Sequence, residues 1–181
     1  MPFTVWTVGH STRSADEFVA VLEMHRIEAL VDVRRFPGSR RLPQFGSALL
    51  EQSLSDKGIA YIWLPSLGGR RKALADSPNN GWRNESFRGY ADHIASEEFA
   101  DGLNELLGLA GGMRTAIMCA ELLWWRCHRR LIADVLMSIG VEVIHIRNEK
   151  VVEPHKITSP GRVVDGALTY GDVAQLGLGL E

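Results

Sequence analysis

Both cysteines of the chain, Cys119 and Cys127, lie in one short stretch with Glu121, Arg126, His128, Arg129 and Arg130. Thiols near cations are nucleophiles in waiting, because a thiolate is stabilised by neighbouring positive charge and by a helix N-terminus. On that reading Cys119 or Cys127 attacks, His10 or His128 transfers protons, and Glu121 is a further acid-base group. A second reading makes Cys119, Cys127 and His128 ligands of a zinc or iron ion, with His10 or Glu121 as a fourth group or an open position for water. A third is purely structural: Cys119 is a small buried hydrophobe at a strand end, and Cys127 packs beneath a helix.

The elements around the stretch give it a place. Ala116, Ile117 and Met118 read as a buried strand, and residues 127–137 as an amphipathic helix with Leu131, Ile132, Val135 and Leu136 on its apolar side. Upstream, residues 3–8 form a β-rich run, and Ser14 with Glu17 offers a capping box to the helix that carries Phe18, Val21 and Leu22. Strand patterns recur at 28–33, 59–64, 114–118 and 141–146, and helical ones at 45–57, 86–94 and 96–109. Such alternation predicts a single three-layer α/β domain over residues 1–147, with a mainly parallel sheet of about five strands, Rossmann-like or rhodanese-like. Residues 65–85, rich in Gly, Pro, Asn and Arg, are long enough to act as a lid, and residues 148–181 form a tail-like C-terminal extension, either flexible or packed on the domain. With the common order 3-2-1-4-5, strands one and four flank a topological switch point, so His10, Arg34 and Cys119 converge on one crevice.

With 181 residues, 45% hydrophobic and a net charge of −2, the chain suits one globular domain. It has no apolar stretch of about 18 residues and no basic-then-apolar leader, which excludes an ordinary membrane span and makes the cytoplasm the expected location. Free thiols rather than a structural disulfide follow from that location. Arginine outnumbers lysine and comes in pairs at Arg34-Arg35, Arg40-Arg41, Arg70-Arg71 and Arg129-Arg130. Guanidinium forks suit phosphates and carboxylates, so Arg34, Arg70, Arg83, Arg88, Arg126 and Arg129 are the expected anion contacts. Trp82, Phe87 and Tyr90 alternate with Arg83 and Arg88, a mixture that stacks bases and holds phosphates or simply anchors a long loop. The overall acidity argues against broad duplex binding.

Several motifs in order resemble the bacterial and archaeal domain of unknown function 488 family. They are Gly9-His10-Ser11, Val31-Asp32-Val33-Arg34, Leu67-Gly68-Gly69-Arg70, the Trp82 to Tyr90 segment, Met118-Cys119-Ala120-Glu121 and Arg126-Cys127-His128-Arg129. The resemblance spans about residues 3–147 and implies a compact α/β domain without naming a reaction. The cysteine layout is also similar to a rhodanese or a cysteine phosphatase, but the glycines of a tight anion cradle are missing. At the C-terminus, Gln175, Leu176, Leu178 and Leu180 resemble the hexapeptide form of the bacterial sliding-clamp-binding motif. The expected function is an enzyme with a Cys/His/Arg pocket for a phosphorylated, nucleotide or nucleic-acid substrate. The alternative is a noncatalytic nucleic-acid or clamp-associated module in DNA maintenance.

Overall fold

The computed structural model describes residues 3–171. Five strands run parallel: β1 (Thr4–Gly9), β2 (Ala29–Asp32), β3 (Ala60–Trp63), β4 (Thr115–Cys119) and β5 (Glu142–Ile146). A sixth, β6 (Val152–Pro154), adds antiparallel to β5, and the sheet order is β3-β2-β4-β1-β5-β6. The order 3-2-1-4-5 is therefore corrected. Strands β1 and β4 are neighbours as expected, but β4 is inserted between β1 and β2, which puts its carboxyl end at the centre of the sheet edge. Register aligns the ends: Gly9 lies opposite Cys119, and Asp32 opposite Met118. The ladder runs past the strands, with His10 N–H donating to the Cys119 carbonyl at 2.9 Å and Val33 N–H to the Met118 carbonyl at 3.0 Å.

Five helices cover the two faces: α1 (Ala15–Met24), α2 (Ser47–Ser55), α3 (Glu85–Ile94), α4 (Glu97–Gly112) and α5 (Arg129–Ser138). Alternation along the strands sorts the core into two halves. Trp6, Val8, Leu30, Ala116 and Met118 meet Phe18, Leu22, Leu50 and Leu54 of α1 and α2 on one face. Val5, Val31, Ile117 and Cys119 meet Tyr90, Phe99, Leu106 and Leu131 of α3, α4 and α5 on the other. Each such side chain contributes about 1.5–3 kcal/mol on full burial. The capping box is present: Glu17 N–H donates to Ser14 Oγ at 3.1 Å, and Ser14 N–H to Glu17 Oε2 at 2.8 Å.

Two other expectations are corrected. Helix α5 does not begin at Cys127, which is extended and follows a single 3-10 turn, Trp124–Arg126. The 65–85 segment is pinned rather than lid-like. Arg71 holds the Gly68 and Pro65 carbonyls and forks onto Glu98, Asp92 accepts from Leu74 N–H, Ser77 and Asn79, and Tyr90 donates to the Leu67 carbonyl. Of the C-terminal extension, residues 148–171 are built into the domain. They supply β6 and a hairpin, β7 (Arg162–Val164) with β8 (Ala167–Thr169), and they bury His155 and Tyr170. No helix among the described residues is long and apolar enough to cross a membrane.

Candidate functional site

The two cysteines meet over a buried arginine. Cys119 closes β4 and Cys127 sits just before α5, which brings their sulfurs to 3.0 Å of each other. Arg129, on the first turn of α5, turns inward and places Nε 3.1 Å from Cys119 Sγ and 3.2 Å from Cys127 Sγ. Its side chain is 1% exposed, so its charge is not dissipated by water. Burial opposes ionisation of Cys127, but the Cys119 thiol hydrogen bond and the Arg129 charge outweigh it and hold Cys127 well below the usual thiol range. Burial and the same hydrogen bond push Cys119 well above it. Within the pair Cys119 is the thiol donor and Cys127 Sγ the acceptor.

Arg129 is itself positioned by a chain of buried polar groups. Its Nη2 donates to the backbone carbonyl of Glu121, and its Nη1 to Thr7 Oγ1 at 3.3 Å. Thr7 Oγ1 meets His145 Nδ1 at 2.7 Å, His145 Nε2 meets His155 Nδ1 at 2.9 Å, and His155 Nε2 meets Asp134 Oδ1 at 2.8 Å. With neutral imidazoles the Asp134 acceptor assigns every proton: His155 donates to Asp134, His145 to His155, Thr7 to His145 and Arg129 to Thr7. Asp134 is completed by Thr158 and Tyr170. Thr7, Asp134, His145 and His155 were not apparent in the sequence, because each comes from a different element and none sits in a motif.

A second polar group occupies the opposite face of the same sheet edge. Asp32 is fully buried and takes a two-pronged bond from Arg34, at 2.9 Å from Nε and 2.6 Å from Nη2, with Tyr61 OH donating at 2.6 Å. The free Arg34 Nη1 points to His10 Nε2 at 3.4 Å. His10 uses Nδ1 on the Ser11 carbonyl and stacks on Phe45 with ring centroids 4.0 Å apart. Desolvation is the main reason its pKa falls to about 4, with the Arg34 charge adding to it. Native His10 is therefore neutral at pH 7, whereas the unfolded chain protonates it near pH 6.5. Its contribution to stability is intact above pH 6.5 and is lost progressively as the pH falls toward 4, by an amount on the order of 2–3 kcal/mol. Urea midpoints at pH 7 and pH 4.5 should show a smaller acid loss for His10→Gln than for the wild type. Equal losses would remove His10 as a source of acid sensitivity.

Where the carboxyl ends of β2 and β4 meet the turn after β3, they enclose a cleft of about 210 Å³ lined by Arg34, Arg35, Phe36, Gly69, Arg70, Cys119, Ala120, Glu121, Cys127 and His128. The sulfur pair forms its floor, with Cys127 the more accessible. His128 donates from Nε2 to the Val33 carbonyl at 2.8 Å, which leaves Nδ1 as an acceptor. Burial keeps this ring neutral, its pKa lowered below the ordinary value. The approach to Nδ1 depends on Gly69, where a Cβ would lie only 2.8 Å from that nitrogen. Arg35 and Arg70 are exposed at the mouth and flank the ring of Phe36, at 5.7 and 6.0 Å from its centroid. Arg35 and Phe36 were overlooked as site residues, although the adjacency of Arg34 and Arg35 was the available signal.

Other expected site residues fall differently. His10 lies behind Arg34 and does not line the cleft. Glu121 lines it with an exposed side chain, while its backbone carbonyl holds Arg129. Arg129 contacts sulfur rather than an incoming anion, and Arg83, Arg88 and Arg126 are outside the lining. Trp82 and Tyr90 are buried, Phe87 packs on Trp82, and Arg130 lies 4.6 Å over the Trp82 ring, so this segment anchors its loop instead of offering a stacking surface. Among the described residues no group of three or more His, Cys, Asp or Glu side chains is arranged to hold a metal ion. A guanidinium occupies the cation position beside both sulfurs. Gln175, Leu176, Leu178 and Leu180 lie outside the described residues.

These features define a three-layer α/β domain with a thiol-floored, arginine-rimmed cleft at the carboxyl edge of its sheet. The chain belongs to the family described as domain of unknown function DUF488, whose pattern matches residues 14–136. No curated protein and no solved structure matches it.

Proposed function

We propose that the cleft is the active site of a cysteine-dependent enzyme acting on a phosphorylated or nucleotide substrate. The observation that carries this reading is the contact of Cys127 with the buried Arg129 at the floor of a cleft whose mouth presents Arg35 and Arg70. A thiolate at the base and two exposed guanidiniums at the rim, of which Arg35 lends one N–H to the Arg70 carbonyl, set a nucleophile beneath an anion. Phe36, 63% exposed between the two arginines, offers a face for a base, worth about 1–3 kcal/mol when stacked. Arg34 is a weaker anion ligand than Arg35 or Arg70, because its fork is already committed to Asp32. In this scheme Cys127 Sγ attacks the electrophilic centre and forms the new bond as the leaving group departs with its electron pair. Water then releases the product, giving a proton to His128 Nδ1.

The test is alkylation of the native protein by iodoacetamide at pH 6, read by peptide mass spectrometry. Cys127 should react at least tenfold faster than an ordinary thiol, because the Arg129 charge beside its sulfur favours the thiolate. Inorganic phosphate and a nucleoside monophosphate should both protect it. Phe36→Ala should weaken nucleotide protection about tenfold, the lower part of the stacking range, and leave phosphate protection unchanged. Ordinary reactivity with no protection by either anion would sink the proposal.

A further inference from the structure

We propose that Cys119 and Cys127 form a reversible intramolecular disulfide by exchange with low-molecular-weight disulfides, Cys127 attacking and Cys119 resolving. This activity goes beyond group transfer to a phosphorylated substrate and does not require it. Three observations support it. The sulfurs are 3.0 Å apart, so closing to a bond of about 2.05 Å asks for a movement of only about 1 Å. The accessibilities are unequal: both cysteines line the cleft, but Cys127 is half-buried whereas Cys119 is 3% exposed. The two sulfurs also share one buried guanidinium, which stabilises negative charge on whichever sulfur carries it during exchange.

The electrons balance in two displacements. Cys127 Sγ attacks one sulfur of the small disulfide, forming a mixed disulfide and expelling the other half as a thiolate. Cys119 then gives up its proton, which passes to that leaving thiolate, and its sulfur attacks Cys127 Sγ, forming the internal bond and expelling the second half. Two protein thiols are oxidised and one external disulfide is reduced to two thiols. Reversal needs only an excess of the small thiol.

Arg129 also sets the direction of the equilibrium. In the reduced protein its charge is balanced by the Cys127 thiolate, whereas in the oxidised protein both sulfurs are neutral and the buried cation keeps only Thr7 Oγ1 and the Glu121 and Leu122 carbonyls. The reduced form is therefore favoured, and the disulfide is an oxidising one, readily returned to the dithiol. Because the cleft mouth presents Arg35 and Arg70, an anionic disulfide should exchange faster than a cationic one.

The experiment treats the full chain with oxidised glutathione, and separately with cystamine, quenches in acid and maps the products by mass spectrometry. Wild type should lose two hydrogens and yield a peptide pair linked through Cys119 and Cys127. The Cys119→Ser variant should accumulate a one-to-one glutathione adduct on Cys127, and Cys127→Ser should form none. Glutathione should react about tenfold faster than cystamine at low salt, with the difference shrinking as salt rises. An adduct on wild-type Cys127 that never converts to the internal bond would overturn the inference while leaving Cys127 as a nucleophile. An adduct on Cys119 in Cys127→Ser would overturn the assignment of the two roles.

Discussion

Arg129→Met should lower the unfolding free energy by about 3–5 kcal/mol, the usual consequence of breaking a buried charged pair from one side. The substitution removes the donors to both sulfurs, to Thr7 Oγ1 and to the Glu121 carbonyl at once. Methionine fills much of the volume but donates nothing, so these buried acceptors lose their charged donor. The same change should return Cys127 toward ordinary thiol behaviour and slow its alkylation at pH 6 by at least tenfold. The pH dependence has a definite sign. Wild-type Cys127 is depressed relative to the unfolded chain, so its stabilising contribution is complete above the unfolded thiol pKa and disappears as pH falls through the lower native value. Chemical denaturation between pH 5 and 9 should therefore show a rising limb in wild type that Arg129→Met lacks. If Arg129→Met does not fold, Arg129→Lys retains the charge without the fork, and its Cys127 should react at an intermediate rate. A lysine variant with wild-type stability and wild-type reactivity would show that the bifurcated geometry is immaterial.

The location of this site was legible in the sequence, but its internal wiring was not. Strand patterns placed Gly9-His10, Arg34 and Cys119 at strand ends, and in any parallel sheet those ends share one edge. The register then delivered Gly9 opposite Cys119 with no further information needed. What periodicity could not show was the sign of each arginine's environment. Arg129 follows Cys127 and His128 in a polar run and looked like a surface anion contact, yet on the first turn of α5 it faces the core and its partners are sulfurs and carbonyls. Arg34 was similarly read as a free fork, although Asp32 two positions earlier points to the same side of the strand and absorbs it.

The fold shows the same division between local and long-range signals. The Ser14-Glu17 capping box is a three-residue interaction, visible without any tertiary knowledge. Insertion of β4 between β1 and β2 involves partners far apart in sequence, and alternation of strands and helices is equally satisfied by several orders. The packing of the C-terminal segment is silent in the sequence for a related reason. Strands β6, β7 and β8 are three residues each, too short for a period-two pattern, and His155 gives no hint that its acceptor is Asp134 on α5. Residues 81–90 reverse the case: their aromatics suggested a binding surface, but Trp82 and Tyr90 spend that area on the core.

Asp134→Ala should separate the two roles of the C-terminal segment, docking and site support. Asp134 is completely buried and accepts from His155 Nε2, Thr158 N–H, Thr158 Oγ1 and Tyr170 OH, so one carboxylate ties residues 155–170 to α5. Removing it leaves four buried donors without their acceptor, for an expected loss of about 3–5 kcal/mol. Hydrogen exchange should rise first at Thr158 and around β7 and β8, and limited proteolysis should cut there before the parallel sheet opens. The effect should also reach the cleft. Without Asp134 to fix the His155 proton on Nε2, His145 and Thr7 lose their assigned directions, and Thr7 Oγ1 is freed to turn its hydrogen toward Arg129. Cys127 alkylation at pH 6 should then slow several-fold even at temperatures where the variant is fully folded. Asp134→Asn keeps an acceptor oxygen and much of the shape, so it should recover most of the docking while still disturbing the proton order. A variant that frees the C-terminal segment without altering Cys127 reactivity would confine the chain of imidazoles to a structural part.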